Sequence, residues 1–180
     1  KMLNLTLDKK KLNILISCHD FFEGPNTYGN WCFSDFNQWI KFLVNFSNTK
    51  FASNFRWYIK QHPDTFIGNE TLIKQIIKNG KNFKFLEKDV SNRNLIKAGI
   101  NFVLSVRGQV SYEFPYFNVP CLLASDLKIF SDYDFAFKSK NQKEYRENLI
   151  NLPKLLLKFN KKKFLKKDIF NYYFVRYFLH

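Results

Sequence analysis

Asn101-Phe102-Val103-Leu104-Ser105-Val106 runs without a break into Arg107-Gly108-Gln109 and then Val110-Ser111-Tyr112-Glu113. The first six residues are almost wholly apolar, as a strand covered on both faces at the centre of a parallel sheet requires. Gly108 permits a tight turn, and a helix from about Val110 to Phe117 is predicted behind it, shortened or kinked by Pro115. Strand, tight turn and helix in that order make the opening of a βαβ unit, and the same alternation recurs on both sides.

Downstream, Val119 to Ala124 reads as a further strand, with Pro120 tolerable near its start. Ser139-Lys140-Asn141-Gln142 has capping-box spacing before a helix through Ile150. One or two helices end the chain; Leu152, Leu155, Leu156 and Phe159 face inward in the first, and Ile169, Phe170, Tyr173, Phe174 and Tyr177 in the second. Upstream, Leu12 to Ile16, Phe55 to Ile59 and Phe83 to Leu86 read as strands. Ser34 is placed to cap a helix carrying Phe36, Trp39, Ile40 and Leu43 on one face, with Asp35 favourable near its positive end. Asn69 or Glu70 opens a helix with Leu72, Ile73, Ile76 and Ile77 inward, stopped by Asn79-Gly80, and Ser91 caps a brief one with Leu95 and Ile96. Together these predict an α/β fold: a Rossmann-like parallel sheet of about five or six strands flanked by helices, with right-handed crossovers and a C-terminal helical extension. Residues 1–150 form the Rossmann-like unit, and 151–180 are basic, aromatic-rich helices packing on the same domain.

Hydrophobic residues make up 46% of the 180 and aromatics 19%, with 22 Phe, which excludes a disordered chain. Most Phe fall at helix or strand spacing, so core packing accounts for them better than stacking on single-stranded nucleic acid. No stretch approaches the ~18 uninterrupted apolar residues of a membrane span. The net charge is +14, and residues 151–180 carry eight bases against the single acid Asp168. A composition rich in Lys, Asn, Ile and Phe explains part of that charge; an anionic partner explains its crowding into the tail. The expected contact is peripheral, with a membrane, while nucleic acid is disfavoured. Cys18, Cys32 and Cys121 form no Cys-x-x-Cys pair, so neither a disulfide framework nor a zinc site is expected, and a reducing cytoplasm fits best. The chain opens Lys1-Met2-Leu3 without a signal-peptide core, and Lys1 reads as a fragment or an unusual start.

In open α/β sheets ligands sit beyond the carboxyl ends of the strands, so the loops at 17–30, 60–66, 105–111 and 124–138 matter. Arg107, with the backbone of Gly108 and Gln109, can cradle a phosphate, and Glu113, about one turn into the helix, can accept from ribose hydroxyls. Lys60 can neutralise phosphate, and His62 can donate to it or shuttle a proton. His19 faces the same crevice, and Asp20 or Glu23 could act as general base. Each cluster also has a plainer reading, as a βα turn with surface charges or a strand end closed by Pro63. Cys18 reads as a buried small hydrophobe rather than a nucleophile. His19 and His62 lack the i, i+4 relation of a helical metal pair, so no metal is expected.

Three stretches in order resemble the C-terminal part of bacterial capsule polysaccharide biosynthesis proteins, surface-polysaccharide glycosyltransferases of GT-B type. Residues 17–40 run from a His-Asp start through Gly24-Pro25 to Phe33-Ser34-Asp35 and Trp39. Trp57-Tyr58-Ile59-Lys60-Gln61-His62-Pro63 resembles that family's Trp-x-x-Lys-x-His-Pro motif. Ser105 to Pro120, with Gly108, Glu113 and Asn118-Val119-Pro120, resembles its Thr-x-x-Gly-Thr…Glu…Gly-x-Pro segment, and Asn141 to Leu149, with Glu144-Tyr145, the helix that follows. Arg107 and Gln109 depart from the small hydroxyl residues usual there, and Asn118 from a Gly. The resemblance implies the donor-binding half of a metal-independent enzyme, with a nucleotide-activated sugar, CMP-linked in some relatives, as donor substrate and no cofactor. It implies a polysaccharide or lipid-linked acceptor and a second domain for which this chain is too short; the expected location is cytoplasmic, with the basic C-terminal tail as a peripheral contact at the inner membrane. Transfer of glycerol phosphate from CDP-glycerol is the alternative within the same chemistry; a non-catalytic basic module binding nucleic acid or membrane is the alternative outside it.

Overall fold

A computed structural model describes residues 7–8, 10–21, 31–62, 65, 68–126, 133–160 and 165–178. Five strands, β1 (Leu12–Ser17), β2 (Phe55–Lys60), β3 (Phe83–Leu86), β4 (Phe102–Ser105) and β5 (Cys121–Leu123), form one sheet in the order β3-β2-β1-β4-β5. Every pair is parallel. The chain therefore builds outward from β1 through β2 to β3, then crosses back to place β4 on the other side of β1. The expected α/β, Rossmann-like sheet with its C-terminal helices is what the molecule shows.

The two faces of the sheet carry separate cores, because side chains alternate along each strand. Ile14, Ile16, Trp57, Ile59, Phe102, Leu104 and Leu122 point to one face. Leu15, Tyr58, Leu86, Val103, Cys121 and Leu123 point to the other. The first face is covered by α1 (Phe36–Ser47), α2 (Asn69–Ile77) and α5 (Gln142–Ile150). Trp57 is its centre: it stacks on Phe83 and meets Phe46 and Phe55 edge-on. Covering the second face are α3 (Asn92–Ala98), α4 (Val110–Tyr116), part of α6 (Leu152–Asn160) and α7 (Leu165–Phe178).

Several boundaries differ from the sequence reading, each for a local reason. Asp35, not Ser34, caps α1, its carboxylate accepting from the Gln38 amide at 2.7 Å. Asn141, not Ser139, caps α5, accepting from the Glu144 amide at 2.9 Å while Glu144 reaches back to the Lys140 amide at 2.8 Å. In both cases an Asp or Asn one or two residues nearer the helix start takes the cap position, and its Oδ reaches the N3 amide. β5 is shorter than expected because Asn118 adopts φ +63 and Pro120, which has no N–H, joins β4 only through its carbonyl, which accepts from the Val103 amide at 2.9 Å.

The largest correction concerns α7. Ile169 is buried there as expected, but its buried companion is Tyr172, while Phe170, Tyr173, Phe174 and Tyr177 are exposed. Aromatics occupy nearly every face of this helix, so spacing alone gave no inward side. The choice is made by Tyr112, Tyr133 and Phe135, whose rings pack on Tyr172 at centroid distances of 5.0, 5.2 and 5.5 Å.

Candidate functional site

The strand order reverses between β1 and β4, so the chains leaving their carboxyl ends diverge to opposite faces and open a crevice at that seam. Ser17 ends β1 and Ser105 ends β4, and the Ser105 hydroxyl lies 3.3 Å from the Ser17 carbonyl and 3.0 Å from the Arg107 carbonyl. Nε2 of His19 lies 3.1 Å from the Arg107 carbonyl and 3.3 Å from the Ser105 hydroxyl. A carbonyl only accepts, so this nitrogen carries the proton and donates to Arg107 O. The His19 ring is in turn stacked on Phe36 at 4.7 Å, and Trp31 packs tilted against Phe36, also at 4.7 Å. His19 thus works here as a clasp between the two loops of the seam.

Gly108 sits at the bend with φ +98, a conformation that a side chain disfavours. A Cβ there would meet only His19 Cε1 at 3.5 Å, an ordinary contact, so the torsion and not crowding requires glycine. The Ser111 hydroxyl and amide both turn back onto the Gly108 carbonyl, at 2.7 and 3.1 Å. With its start tied up in this way and only seven residues, α4 would offer an anion less than a long helix does. The Arg107 guanidinium lies 5.7 Å above the Trp31 ring and is half-buried.

On the other side of β1, Lys60 ends β2 and its ammonium donates to Asn92 Oδ1 at 3.2 Å. The amide nitrogen of the same Asn92 donates to Glu113 Oε2 at 2.8 Å. Residues from β2, α3 and α4 are so joined into one polar chain. Burial pulls the Lys60 pKa below that of an ordinary lysine, and the negative charges of Glu113 and then Asp89 oppose the shift. Lys60 and Arg107 leave strands on either side of β1, two strand spacings or ~10 Å apart.

The other expected site residues fall as follows. His62 lies two residues beyond β2, exposed, at the same carboxyl edge as Arg107. Gln109 is exposed, in the turn before α4. Asp20 follows β1 but is only 4% exposed. Glu23 lies outside the described residues, as do Gly24, Pro25 and Pro63. Sequence reasoning missed Asn92, Ser105 and Trp31. For Asn92 the signal was available: a polar residue directly after the capping Ser91, opening α3 behind the loop that leaves the carboxyl end of β3. Among the described residues no three His, Cys, Asp or Glu gather as metal ligands.

Cys18 and Cys121 are buried, and burial pushes both thiols far up; burial, then Glu144 and Asp126, pushes Cys32 up to about 12. The Cys32 thiol also lies 3.1 Å from the Ser139 carbonyl. All three should resist a coloured aromatic disulfide reagent at neutral pH and react only after unfolding. Rapid labelling of Cys18 in the folded protein would contradict its burial.

No protein-family model matches this sequence, and a search of curated proteins finds no match. Solved structures do match in shape. One is the S. aureus MnaA–UDP co-structure, at 15% identity and TM-score 0.55, covering 92% of this chain and 46% of that one. Another is the UDP-GlcNAc 2-epimerase of Neisseria meningitidis bound to UDP-GlcNAc, at 15% identity and TM-score 0.58, covering 93% of this chain and 45% of that one. The chain spans less than half the length of these neighbours and shares the fold of that portion.

Proposed function

We propose that this chain is the nucleotide-sugar-binding half of a GT-B-type glycosyltransferase acting in cell-surface polysaccharide synthesis. The observation that carries the reading is the β1/β4 seam: His19 and Ser105 clasp two loops there, and Arg107 and the Lys60–Asn92–Glu113 chain stand on either side of β1. Arg107, Lys60 and His62, with the backbone of Gly108 and Gln109, would hold the phosphates of the donor and stabilise them as leaving group, which is electrostatic catalysis. Glu113, its carboxylate oriented by Asn92, would accept from the ribose. Asp20 is too enclosed to meet an acceptor hydroxyl as it stands, which leaves Glu23 or a residue of a second domain as base. No cofactor or metal is required by this scheme; the donor is a substrate, and the acceptor would be a polysaccharide or lipid-linked sugar.

Two structural neighbours hold UDP or UDP-GlcNAc, which makes UDP the first probe. The test is a thermal-shift titration with UDP, CDP, CMP, GDP and a mixed single-stranded oligonucleotide. A ligand that binds only the folded state stabilises it by RT ln(1 + [L]/Kd), about 2.7 kcal/mol at a hundredfold excess over Kd. Selective stabilisation by UDP or CMP is the expected result; selectivity for CDP would redirect the reading to glycerol phosphate transfer. Salt-sensitive stabilisation by the oligonucleotide alone would overturn it in favour of a basic binding module.

A further inference from the structure

We propose that α7 and the end of α4 form a surface that lies flat on an anionic lipid bilayer. Among the described side chains of α7, Ile169 and Tyr172 are the buried ones, and Tyr172 anchors the helix against Tyr112, Tyr133 and Phe135. Phe170, Phe174 and Phe178 then form a stripe at i, i+4 and i+8 that is 58%, 56% and 77% exposed. Phe174 stacks on Phe178, and Phe170 meets Tyr116 of α4 edge-on at 6.0 Å, beside exposed Phe117. The exposed rings are therefore one continuous patch spanning two helices, larger than scattered surface apolar residues explain.

The charge around the patch selects its occupant. The Lys166 ammonium lies 5.4 Å over the Tyr116 ring, and the Arg176 guanidinium lies 5.7 Å over Tyr177. Lys167 is exposed beside them, and Lys161, Lys162 and Lys163 precede α7 in sequence. A second copy of the chain would set this cationic rim against itself. Lysine is also depleted at protein–protein interfaces. Aromatic rings that enter the headgroup region, ringed by lysines whose stems run along them to phosphate, are the composition of an interfacial helix. Among the described residues no helix is long and apolar enough to cross a membrane, so the contact is with the surface.

The patch also has a fixed relation to the crevice. Phe170 meets Tyr116 while Tyr173 meets Tyr112, so α7 runs antiparallel to α4, and α4 starts at the Gly108 bend. The Phe178 end of the stripe is therefore the one toward the crevice edge, and there an acceptor carried by a lipid could approach the seam. That last clause rests on the glycosyltransferase reading; membrane binding itself does not.

The test is flotation of the full chain with vesicles of phosphatidylcholine alone and of phosphatidylcholine mixed with phosphatidylglycerol. Binding is expected to the mixed vesicles only and to fall as salt rises. Phe170→Ser, Phe174→Ser and Phe178→Ser combined should reduce the partition coefficient at least about tenfold. Hydrogen exchange on the unaltered chain gives a second readout independent of how that variant folds: the amides of α7 should gain protection on anionic vesicles. Equal binding to both vesicles would overturn the proposal. So would binding that the three substitutions leave unchanged, since a +14 chain can adsorb by charge alone. Vesicle-free dimerisation that the triple variant abolishes would also overturn it, in favour of a protein interface. Failure of any of these leaves the nucleotide titration unaffected.

Discussion

Arg107→Ala is expected to weaken UDP binding about ten- to a hundredfold while leaving the melting temperature of the free protein nearly unchanged. A charge-assisted hydrogen bond is worth roughly 1.5–3 kcal/mol, and each 1.4 kcal/mol is about tenfold in affinity. The second half of the expectation comes from which atoms of residue 107 hold the fold. Its carbonyl accepts from His19 and from Ser105, and alanine keeps that carbonyl. The guanidinium overlies the half-buried Trp31 ring at 5.7 Å, a cation–π contact worth about 0.5–1 kcal/mol near the surface. Isothermal titration with UDP, beside a melting curve of the free variant, separates the two effects. Affinity within about twofold of the unaltered chain would mean that Arg107 does not read the phosphates.

Lys60 offers a companion with a pH signature. Its pKa is drawn down by burial, so its positive charge is lost at a lower pH than that of a surface lysine. An anion held by this ammonium should therefore bind less tightly as pH rises into the alkaline range. Lys60→Arg keeps its charge there and should flatten that part of the profile. A bound phosphate favours the charged lysine, so UDP binding at alkaline pH should be accompanied by proton uptake from the buffer.

The fold was legible because its signals are redundant. The apolar run at 102–105, the Gly108 bend and the amphipathic α1 each point to a parallel sheet, and all five strands fall where apolar β-prone runs predict them. The site was legible only to the extent that topology governs it. Lys60 ends β2, His19 follows β1 and Arg107 follows β4, so topology alone puts the three at one edge of the sheet. What topology does not encode is which atoms are already engaged. His19 reads in sequence as a free imidazole near a crevice, yet its Nε2 is spent on the Arg107 carbonyl. Asn92 reads as an ordinary first residue of a short helix, yet it joins Lys60 to Glu113 across two elements. The inward face of α7 was illegible for a third reason: where aromatics sit all round a helix, only its neighbours decide which are covered.

Trp39→Ala is expected to cost about 3–5 kcal/mol, as deletion of a fully buried indole does, and that is a large share of the ~5–15 kcal/mol that holds a domain of this size together. Trp39 is wholly buried in α1, and its indole N–H donates to the hydroxyl of Tyr145 in α5 at 3.0 Å. Tyr145 in turn packs edge-on against Phe33 and is tilted against Phe42. One hydrogen bond thus ties two helices on the same face of the sheet, between residues 106 positions apart in sequence. Trp39→Phe and Tyr145→Phe should each cost roughly 1–3 kcal/mol, because each strands the other's polar group in an apolar core. The double variant should cost less than the sum, since it strands neither. Urea unfolding followed by circular dichroism measures the cycle; additivity within about 0.5 kcal/mol would show that the bond contributes nothing beyond packing. Trp39 and Tyr145 also stand in stretches that resemble capsule polysaccharide biosynthesis proteins. Their burial means that this part of the resemblance is carried by core residues, which any chain with this fold must supply, and it adds nothing to the case for the chemistry. That case rests on Arg107, Lys60 and Glu113, which stand at the carboxyl edge of the sheet and not in its core.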